Sequence, residues 1–215
     1  MKKLVLFDLD GTVLDTEEDL MICANEVFAR LGYPAVDRET QRRANGKPAY
    51  DYMRILMGGS VSDEEIARVW QEYVPLVAEK GADKTTVFDG LTEVLQQLSQ
   101  KGYILLVLTN KAACEVDVFN KKILNKLPFD AVLAVGGTED AKPSPRAVEK
   151  ALQKYGIAKE NAFLVGDAEP DVLTAIAAGI HSVAVLWGCR TKEQLECAGA
   201  TVFAAHPAEL PALIG

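Results

Sequence analysis

The chain has 215 residues, of which 49% are hydrophobic and 25% are charged, a composition typical of a water-soluble globular protein with a full core. Its formal net charge of −8 argues against nucleic-acid binding, which normally needs a basic surface. The apolar run near the start stops at Asp8, and no run reaches the roughly 18 residues of a membrane span. We therefore expect a cytoplasmic protein that binds neither nucleic acid nor membranes.

The first predicted element is a β-strand over Leu4–Phe7, which leads directly into Asp8, Leu9, Asp10 and Gly11. Two carboxylates placed two positions apart disfavour each other's ionisation. Unless both side chains point into water, something must compensate their charge, and a bound cation is the obvious candidate.

A long stretch without a predicted strand follows. It runs from Phe7 to Ile104, which is far longer than an ordinary connection between strands. The stretch contains two predicted amphipathic helices. We interpret residues 16–84 as a small helical domain inserted after the first strand, and residues 1–15 and 85–215 as the α/β core.

Both inserted helices begin with the pattern of a capping box. In the first helix, Thr16 is the predicted N-cap, Asp19 holds the reciprocal position and Gly32 ends the helix. In the second helix, Ser62 and Glu65 have the same relationship. The apolar stripe of the second helix, which we assign to the core, consists of Ile66, Val69, Trp70 and Tyr73.

The remaining predicted strands are short and mostly continuous in apolar residues. They span residues 104–108, 131–135, 162–165 and 182–186, with a weaker one at 201–203. Continuous rather than alternating apolar residues indicate a parallel sheet that is covered on both faces. Because helical patterns alternate with these strands, we predict an α/β fold with a doubly wound parallel-sheet, Rossmann-like core.

Polar residues follow the strands at the points where the strands end. In an open parallel sheet, ligands bind beyond the carboxyl ends of the strands, so these residues should share one rim. In chain order they are Asp8, Asp10, Thr109, Asn110, Lys142, Asp167, Glu169 and Asp171. Each residue alone would indicate little, whereas the whole set in this order is specific.

A chemical role follows for each type of side chain. Carboxylate oxygens from two strand ends suit Mg²⁺, which also binds substrate phosphate. A carboxylate such as Asp8 could attack phosphorus and form an acyl phosphate, while Asp10 could protonate the leaving oxygen and later deprotonate the attacking water. Thr109 and Lys142 could bind the transferring phosphoryl group.

Four short motifs resemble those of the haloacid dehalogenase superfamily over nearly the whole chain. They are DLDGTVLDT, LTN, KPSP and GDAEPD. The position of the insertion matches that family's helical cap type. The stretches TNK, GG before KPSP, and WGCRTKEQL further resemble its phosphoglycolate phosphatase-like branch. The resemblance implies a phosphatase that acts on a small phosphorylated metabolite and uses Mg²⁺.

The resemblance also implies roles for individual residues. Asp8 would be the nucleophile and Asp10 the general acid and base. The side chains implied to bind substrate are Thr109, Asn110 and Lys142. The implied Mg²⁺ ligands are the Asp8 carboxylate, the Asp10 main-chain oxygen and Asp167, and Asp171 supports them from close by. One departure from the family pattern is Ala168, where many relatives carry Ser or Thr.

Within the insertion, the stretch RRANGKPAY is the best candidate for a loop that contacts substrate. Gly46 and Pro48 flank Lys47, and Arg42 and Arg43 come just before. A cap closes over its site and contacts the part of the substrate that leaves. A cation at Lys47 would suit a second anionic group, such as a carboxylate, so Lys47 is predicted to bind substrate.

Two other functions fit part of this pattern. A sugar phosphomutase similar to β-phosphoglucomutase uses the same four motifs and returns the phosphoryl group instead of losing it to water. A phospho-accepting receiver module in signalling also combines Asp, Thr and Lys around Mg²⁺, although it normally lacks an inserted cap. Asp10 argues against a dehalogenase or a phosphonate hydrolase. The motifs leave the choice between phosphatase and phosphomutase open, and the sequence leaves the oligomeric state open.

Overall fold

The computed structural model describes residues 2–215. Its strands are β1 (Leu4–Phe7), β2 (Leu14–Asp15), β3 (Thr86–Val87), β4 (Ile104–Thr109), β5 (Ala131–Ala134), β6 (Ala162–Gly166), β7 (His181–Val185) and β8 (Phe203–Ala204). Its α-helices are α1 (Glu17–Leu31), α2 (Arg38–Ala44), α3 (Ala49–Leu56), α4 (Asp63–Lys80), α5 (Leu91–Gln100), α6 (Ala113–Lys122), α7 (Arg146–Tyr155), α8 (Glu169–Ala178), α9 (Lys192–Cys197) and α10 (Leu210–Ile214). Short 3₁₀ turns span Leu124–Lys126, Lys159–Asn161 and Pro207–Glu209.

The main sheet is parallel and has the spatial order β5-β4-β1-β6-β7-β8. This confirms the predicted α/β fold, and every predicted strand of the sheet is present with its ends within two residues. In the centre, Phe7 of β1 lies between Val107 of β4 and Val165 of β6. The chain builds outward from β1 in both directions, so the carboxyl end of β1 lies at the switch point where such sheets bind ligands.

Helices cover both faces of the sheet. Val5 and Phe7 of β1 belong to one apolar cluster, which includes buried residues of α5, α6 and α10. Leu4 and Leu6 point to the other face and belong to a second cluster with α7 and α8. All four side chains are fully buried. Burial on both faces is the reason why the strands are continuously apolar.

Helices α1 to α4 lie between the short strands β2 and β3, which pair antiparallel. The prediction of no strand between Phe7 and Ile104 was therefore wrong, because a two-residue strand is too short to produce a recognisable pattern. Asp19 of α1 strengthens the same junction. Its Oδ2 accepts hydrogen bonds from the amide (2.7 Å) and the hydroxyl (2.8 Å) of Thr85, so the two ends of the insertion are tied together.

The capping box predicted for α4 is confirmed, whereas the one predicted for α1 is wrong. The Glu65 amide donates to Ser62 Oγ, and the Ser62 amide donates to Glu65 Oε2. In α1, Thr16 makes no side-chain cap and donates its hydroxyl to Asp10 Oδ1 at 2.6 Å. Because Asp19 binds the returning chain, both members of the predicted box are used by partners distant from the helix end.

Within residues 2–215, no helix is both long and apolar enough to cross a membrane. The longest helix, α4, buries one stripe that includes Ile66, Val69 and Tyr73, as predicted. Its first turn is acidic, which suits the positive end of the helix dipole.

Candidate active site

The carboxyl ends of β1, β4 and β6 bring the predicted polar side chains to one rim. Those that are at most 2% exposed are Asp8, Thr109, Lys142, Asp167 and Asp171. Asp10 and Asn110 are 8% and 5% exposed. This many buried polar groups on one edge must be compensated by one another or by a ligand.

Asp8 stands directly beyond β1. Its amide donates to the Val165 carbonyl (2.9 Å), which extends the sheet pairing by one residue and fixes the backbone. The Lys142 ammonium donates to Asp8 Oδ1 at 2.7 Å and to Asp171 Oδ1 at 2.6 Å. Asp8 Oδ2 is buried and has no hydrogen-bond partner among the described residues. One carboxylate oxygen is thus held in place while the other is left for chemistry.

Asn110 positions the backbone on both sides of the site. Its Oδ1 accepts a hydrogen bond from the Lys142 amide (2.7 Å), and its Nδ2 donates to the Lys142 carbonyl (3.0 Å). The same Nδ2 donates to the Gly46 carbonyl (3.0 Å) in the insertion. The predicted substrate-binding amide of Asn110 therefore connects the core to the inserted helices in this structure.

Burial controls the protonation of the carboxyl groups. Burial, followed by the charge of Asp171, raises the pKa of Asp8 from 3.8 to about 7. Burial and the charge of Asp8 raise the pKa of Asp167 to about 6, and burial also raises the pKa of Asp171. For Lys142, burial lowers the pKa, but the charges of Asp171 and Asp8 outweigh it and raise the pKa. The Lys142 ammonium contacts only two of the three carboxyl groups, Asp8 and Asp171, so the cluster favours a further cation.

The same three carboxyl groups fit a metal ion. One oxygen from each of Asp8, Asp167 and Asp171 lies within 4.8 Å of the others. Burying three carboxyl groups together costs free energy unless their charge is compensated, and hard oxygen donors suit Mg²⁺. Asp171 Oδ1 binds Lys142 and its Oδ2 accepts from the Ala168 amide (3.1 Å). Both Asp171 oxygens thus have partners, which suits a supporting position.

Asp167 is fixed by two donors and by glycine. Thr12 Oγ1 donates to its Oδ1 (2.8 Å), and the Cys189 amide donates to its Oδ2 (2.8 Å). Gly11 has φ +83°, and a Cβ on it would lie 2.4 Å from Asp167 Oδ2. Only glycine permits both this backbone conformation and this close approach, which explains the Gly that follows the two opening aspartates.

Asp10 has two partners that sequence reasoning did not assign to it. Thr16 donates its hydroxyl to Asp10 Oδ1, and Lys111 Nζ lies 3.2 Å from Asp10 Oδ2. The Lys111 ammonium lies 5.5 Å from the centre of the Phe119 ring. Burial lowers the pKa of Lys111, but the charges of Asp10 and Glu115 outweigh it and raise the pKa. Lys111 follows a strand end directly after Asn110, within the stretch TNK that resembles the phosphoglycolate phosphatase-like branch, but no role was assigned to it.

The wall opposite the strand ends comes from the insertion. It consists of Asn45, Gly46, Lys47, Ala49, Tyr52 and Trp70. Trp70 packs against the apolar core, as predicted, and also lines this cavity. Tyr73 is buried as predicted. The Tyr52 and Tyr73 hydroxyls are 3.1 Å apart. The enclosed volume is about 30 Å³, room for roughly two water molecules.

We call residues 45–49 the facing segment. Within it, Lys47 lines the cavity, and its Nζ lies 3.7 Å from Glu169 Oε2. Arg190 Nε also donates hydrogen bonds of 3.0 Å to both carboxylate oxygens of Glu169. Lys47, which was predicted to bind substrate, thus reaches the rim of the site. Glu169, whose role the sequence left open, lies between the side chains of Lys47 and Arg190.

Comparison with known proteins agrees with this geometry. Residues 5–185 match the family described as haloacid dehalogenase-like hydrolase. The phosphoglycolate phosphatase of Xanthomonas campestris is 31% identical over 193 residues, which cover 86% of this chain and 84% of that protein. The phosphoglycolate phosphatase of Vibrio parahaemolyticus is 27% identical over 215 residues, which cover 97% and 94%. The Probable phosphatase IndB of Dickeya dadantii is 30% identical over 200 residues, which cover 92% and 87%.

The solved structures that this chain resembles belong to the same family. A Lactobacillus delbrueckii protein, provisionally named a phosphoglycolate phosphatase, superposes with a TM-score of 0.89 at 28% identity, and covers 100% of this chain and 99% of that one. A haloacid dehalogenase-like hydrolase of Streptococcus pneumoniae has a TM-score of 0.85 at 26% identity, with 100% and 99% covered. The family match, the phosphatase relatives and the buried acidic rim agree. This chain therefore belongs to the haloacid dehalogenase-like hydrolases and is a phosphatase.

Proposed function

We propose that this phosphatase hydrolyses a small phosphomonoester of the phosphoglycolate kind through a phosphorylated Asp8. The observation that carries the proposal is the asymmetry of the Asp8 carboxylate. Lys142 holds Oδ1, while Oδ2 is buried without a hydrogen-bond partner among the described residues. A desolvated, oriented oxygen is suited to nucleophilic attack. The names of the Xanthomonas and Vibrio relatives support the substrate class.

In the first step, Asp8 Oδ2 attacks the phosphorus atom and forms an O–P bond. The bond between phosphorus and the leaving oxygen breaks, and Asp10 donates its proton to that oxygen. Thr109 and Lys142 bind the phosphoryl oxygens, where charge stabilisation and positioning supply most of the rate enhancement. The products of this step are a free alcohol and phosphorylated Asp8.

In the second step, a water molecule attacks the phosphorus of phosphorylated Asp8. Asp10, now ionised, accepts a proton from this water, and the bond between phosphorus and Asp8 breaks. Inorganic phosphate leaves and both aspartates return to their starting protonation states. Thr16 and Lys111, which contact Asp10, orient its carboxyl group for both proton transfers.

The residues that would hold Mg²⁺ are Asp8 and Asp167, with the Asp10 main-chain oxygen, and Asp171 in support. When bound, the ion would neutralise the carboxylates and the charge of the transferring phosphoryl group. The raised pKa values of Asp8 and Asp167 support this assignment, since a cation would restore their ionised forms. Residues 16–84 would form a cap that closes over the site.

The charge of the cavity supports the proposed substrate class. Lys47 and Lys111 both line it, and either ammonium could meet a second anion on the leaving group. Phosphoglycolate carries such an anion, a carboxylate, on its leaving group, and so suits these two cations.

The test is phosphate release from a panel of phosphomonoesters, with Mg²⁺, with Ca²⁺ and with chelator. We expect the highest kcat/KM on phosphoglycolate, dependence on Mg²⁺, and failure with Ca²⁺, whose looser coordination permits non-productive geometry. Full activity in metal-free protein would contradict the assigned mechanism. Conversion of a sugar phosphate to its isomer without phosphate release would favour the phosphomutase instead.

A further inference from the structure

Arg190 connects the core to the insertion through one buried guanidinium. The residue is 6% exposed and follows β7 in the stretch WGCRTKEQL. On the core side, its Nε donates to both carboxylate oxygens of Glu169 at 3.0 Å. On the insertion side, its terminal nitrogens donate to the carbonyls of Arg42, Arg43 (3.1 Å) and Asn45 (3.0 Å).

The carbonyls that Arg190 binds are at the end of α2 and at the start of the facing segment. Unpaired carbonyls at a helix end carry partial negative charge, which a guanidinium stabilises. The Asn45 side chain adds a further contact, because its Nδ2 donates to Cys189 Sγ at 3.1 Å. Cys189 and Arg190 together therefore fix the point where α2 ends.

This contact determines where the next two residues lie. The Gly46 carbonyl accepts from Asn110, and a Cβ on Gly46 would lie 2.8 Å from the Cβ of Ala168. The facing segment thus packs directly on the strand ends, and Lys47 reaches the cavity. The cavity has a volume of about 30 Å³, room for roughly two water molecules, so we expect the facing segment to move away when a phosphomonoester binds.

We propose that Arg190 and Glu169 form a latch that holds the facing segment against the core and thereby sets how often the active site opens. Arg190 is a positioning residue, since its contacts are to Glu169 and to main-chain carbonyls. The inference goes beyond the proposed function, because it concerns access to the site and holds for any substrate. Arginine suits the position because its rigid fork of five N–H donors spans several acceptors, which the single ammonium of lysine does not.

Cys189 provides a reporter of latch opening within the natural chain. Its thiol is partly buried against Asn45, and burial, followed by the charge of Asp167, raises its pKa to about 12. Cys197 is exposed and supplies an internal reference. The charge of Arg190 lowers the pKa of Cys189, and lysine at position 190 keeps a positive charge there. Faster alkylation of Cys189 in an Arg190 variant therefore reports exposure.

The experiment is alkylation with iodoacetamide, followed for each cysteine by peptide mass spectrometry. In Arg190→Lys we expect Cys189 to react about tenfold faster, which corresponds to about 1.4 kcal/mol, with Cys197 unchanged. The matched control is Arg146→Lys, an exposed arginine on α7 that pairs with Glu139, and it should react like the parent. Unchanged Cys189 reactivity in Arg190→Lys would overturn the latch.

Glu169→Gln is the second variant, and it keeps every contact of Arg190 with the insertion. We expect it to accelerate Cys189 alkylation in the same direction but by less. If Arg190→Lys fails to fold, unchanged reactivity in Glu169→Gln overturns the proposal. Parallel acceleration of Cys189 and the fully buried Cys23 would indicate general loosening and would also overturn it. The readout needs no substrate, so failure of the proposed phosphatase reaction would leave this result unaffected.

Discussion

The rim of strand ends and the facing segment meet across one cavity but are held in different ways. Asp8 and Asp167 follow paired central strands, and their side chains are at most 2% exposed. The Lys47 side chain is 32% exposed, and its segment is held by hydrogen bonds from Asn110 and Arg190. One wall is part of the sheet, whereas the other is docked onto it.

This difference separates chemistry from selection. Groups that form and break bonds need positions within a fraction of an ångström, and packed strands supply such positions. A wall that admits substrate must instead separate from the rim and return. Changes at the rim should therefore affect every substrate, whereas changes at the facing segment should affect particular substrates or the opening itself.

Asp8→Asn is the change expected to have the largest effect. It removes the nucleophilic oxygen, so no phosphorylated enzyme can form with any substrate. We expect kcat to fall by about 10⁴-fold or more on alkyl and aryl phosphates alike, measured as phosphate release. Trapped phosphoenzyme, detected as an added mass by intact mass spectrometry, should be absent. A loss confined to one substrate would place Asp8 outside the common chemistry of the rim.

Asp10→Asn should show a loss of about 10² to 10⁴ that depends on the leaving group. An alkyl phosphate needs a proton as it departs, so the first step should stall. A nitrophenolate leaves without help, so Asp8 should still be phosphorylated, but hydrolysis then lacks its base. Stopped-flow absorbance should show a burst of about one nitrophenolate per site followed by slow turnover. Normal steady turnover on both substrates would show that Asp10 does not transfer protons.

The rim could be predicted from sequence because parallel strands place their carboxyl ends on one edge, however far apart they are in the chain. Asp8 and Asp167 are neighbours for that reason alone, since β1 pairs with β6. Lys111 was missed because a lysine after a strand end is usually solvated, and only the fold shows that Asp10 is 3.2 Å away.

The contacts of the insertion could not be predicted in the same way. Arg190 binds main-chain carbonyls, and every residue has a carbonyl, so no side-chain pattern marks its partners. Thr16 was correctly predicted as the N-cap residue of α1, but its hydroxyl donates to Asp10 in the site and does not cap the helix. Strands of two residues, such as β2, have no period to detect. The sequence therefore predicts the elements of the insertion but not how they dock.

Lys47→Ala tests selection by the facing segment. If Lys47 meets a second anion of the substrate, kcat/KM for phosphoglycolate should fall about tenfold to a hundredfold, the size expected for a hydrogen bond to a charged group. Activity on nitrophenyl phosphate, which has no such anion, should change little. The control is Lys101→Ala. Lys101 is exposed and lies between α5 and the amino end of β4, away from the carboxyl ends of the strands. Equal losses on both substrates would make Lys47 a general rather than a selective contact.

Gly46→Ala tests the docking of the facing segment against a well-matched control. Gly46 and Gly32 both have φ +80°, but an added Cβ meets Ala168 at 2.8 Å only at Gly46, and nothing within 4 Å at Gly32. Both variants should lose about 1–2 kcal/mol from backbone strain. Only Gly46→Ala should also lose kcat/KM, on the order of tenfold. Similar kinetics in the two variants would indicate that close packing on Ala168 is not required for turnover.

The smallest effect concerns stability, and it tests whether the rim needs a cation. The pKa values of Asp8 and Asp167 are about 7 and about 6 in the folded chain, against ordinary values of 3.8. Between about pH 4 and pH 7 the folded state therefore binds more protons than the unfolded state, so unfolding becomes easier as pH rises. With chelator, Tm should fall between pH 5 and pH 7.5.

Mg²⁺ at about 100 times its Kd would add roughly 2.7 kcal/mol to the free energy of unfolding, or about 5–10 °C to Tm, with the larger gain at pH 7.5. Asp8→Asn imitates the protonated carboxyl, so it should flatten the pH dependence and shrink the Mg²⁺ gain. A Tm that rises with pH in chelator, or an undiminished Mg²⁺ gain in Asp8→Asn, would mean that the buried carboxylates of the rim are compensated by the protein itself.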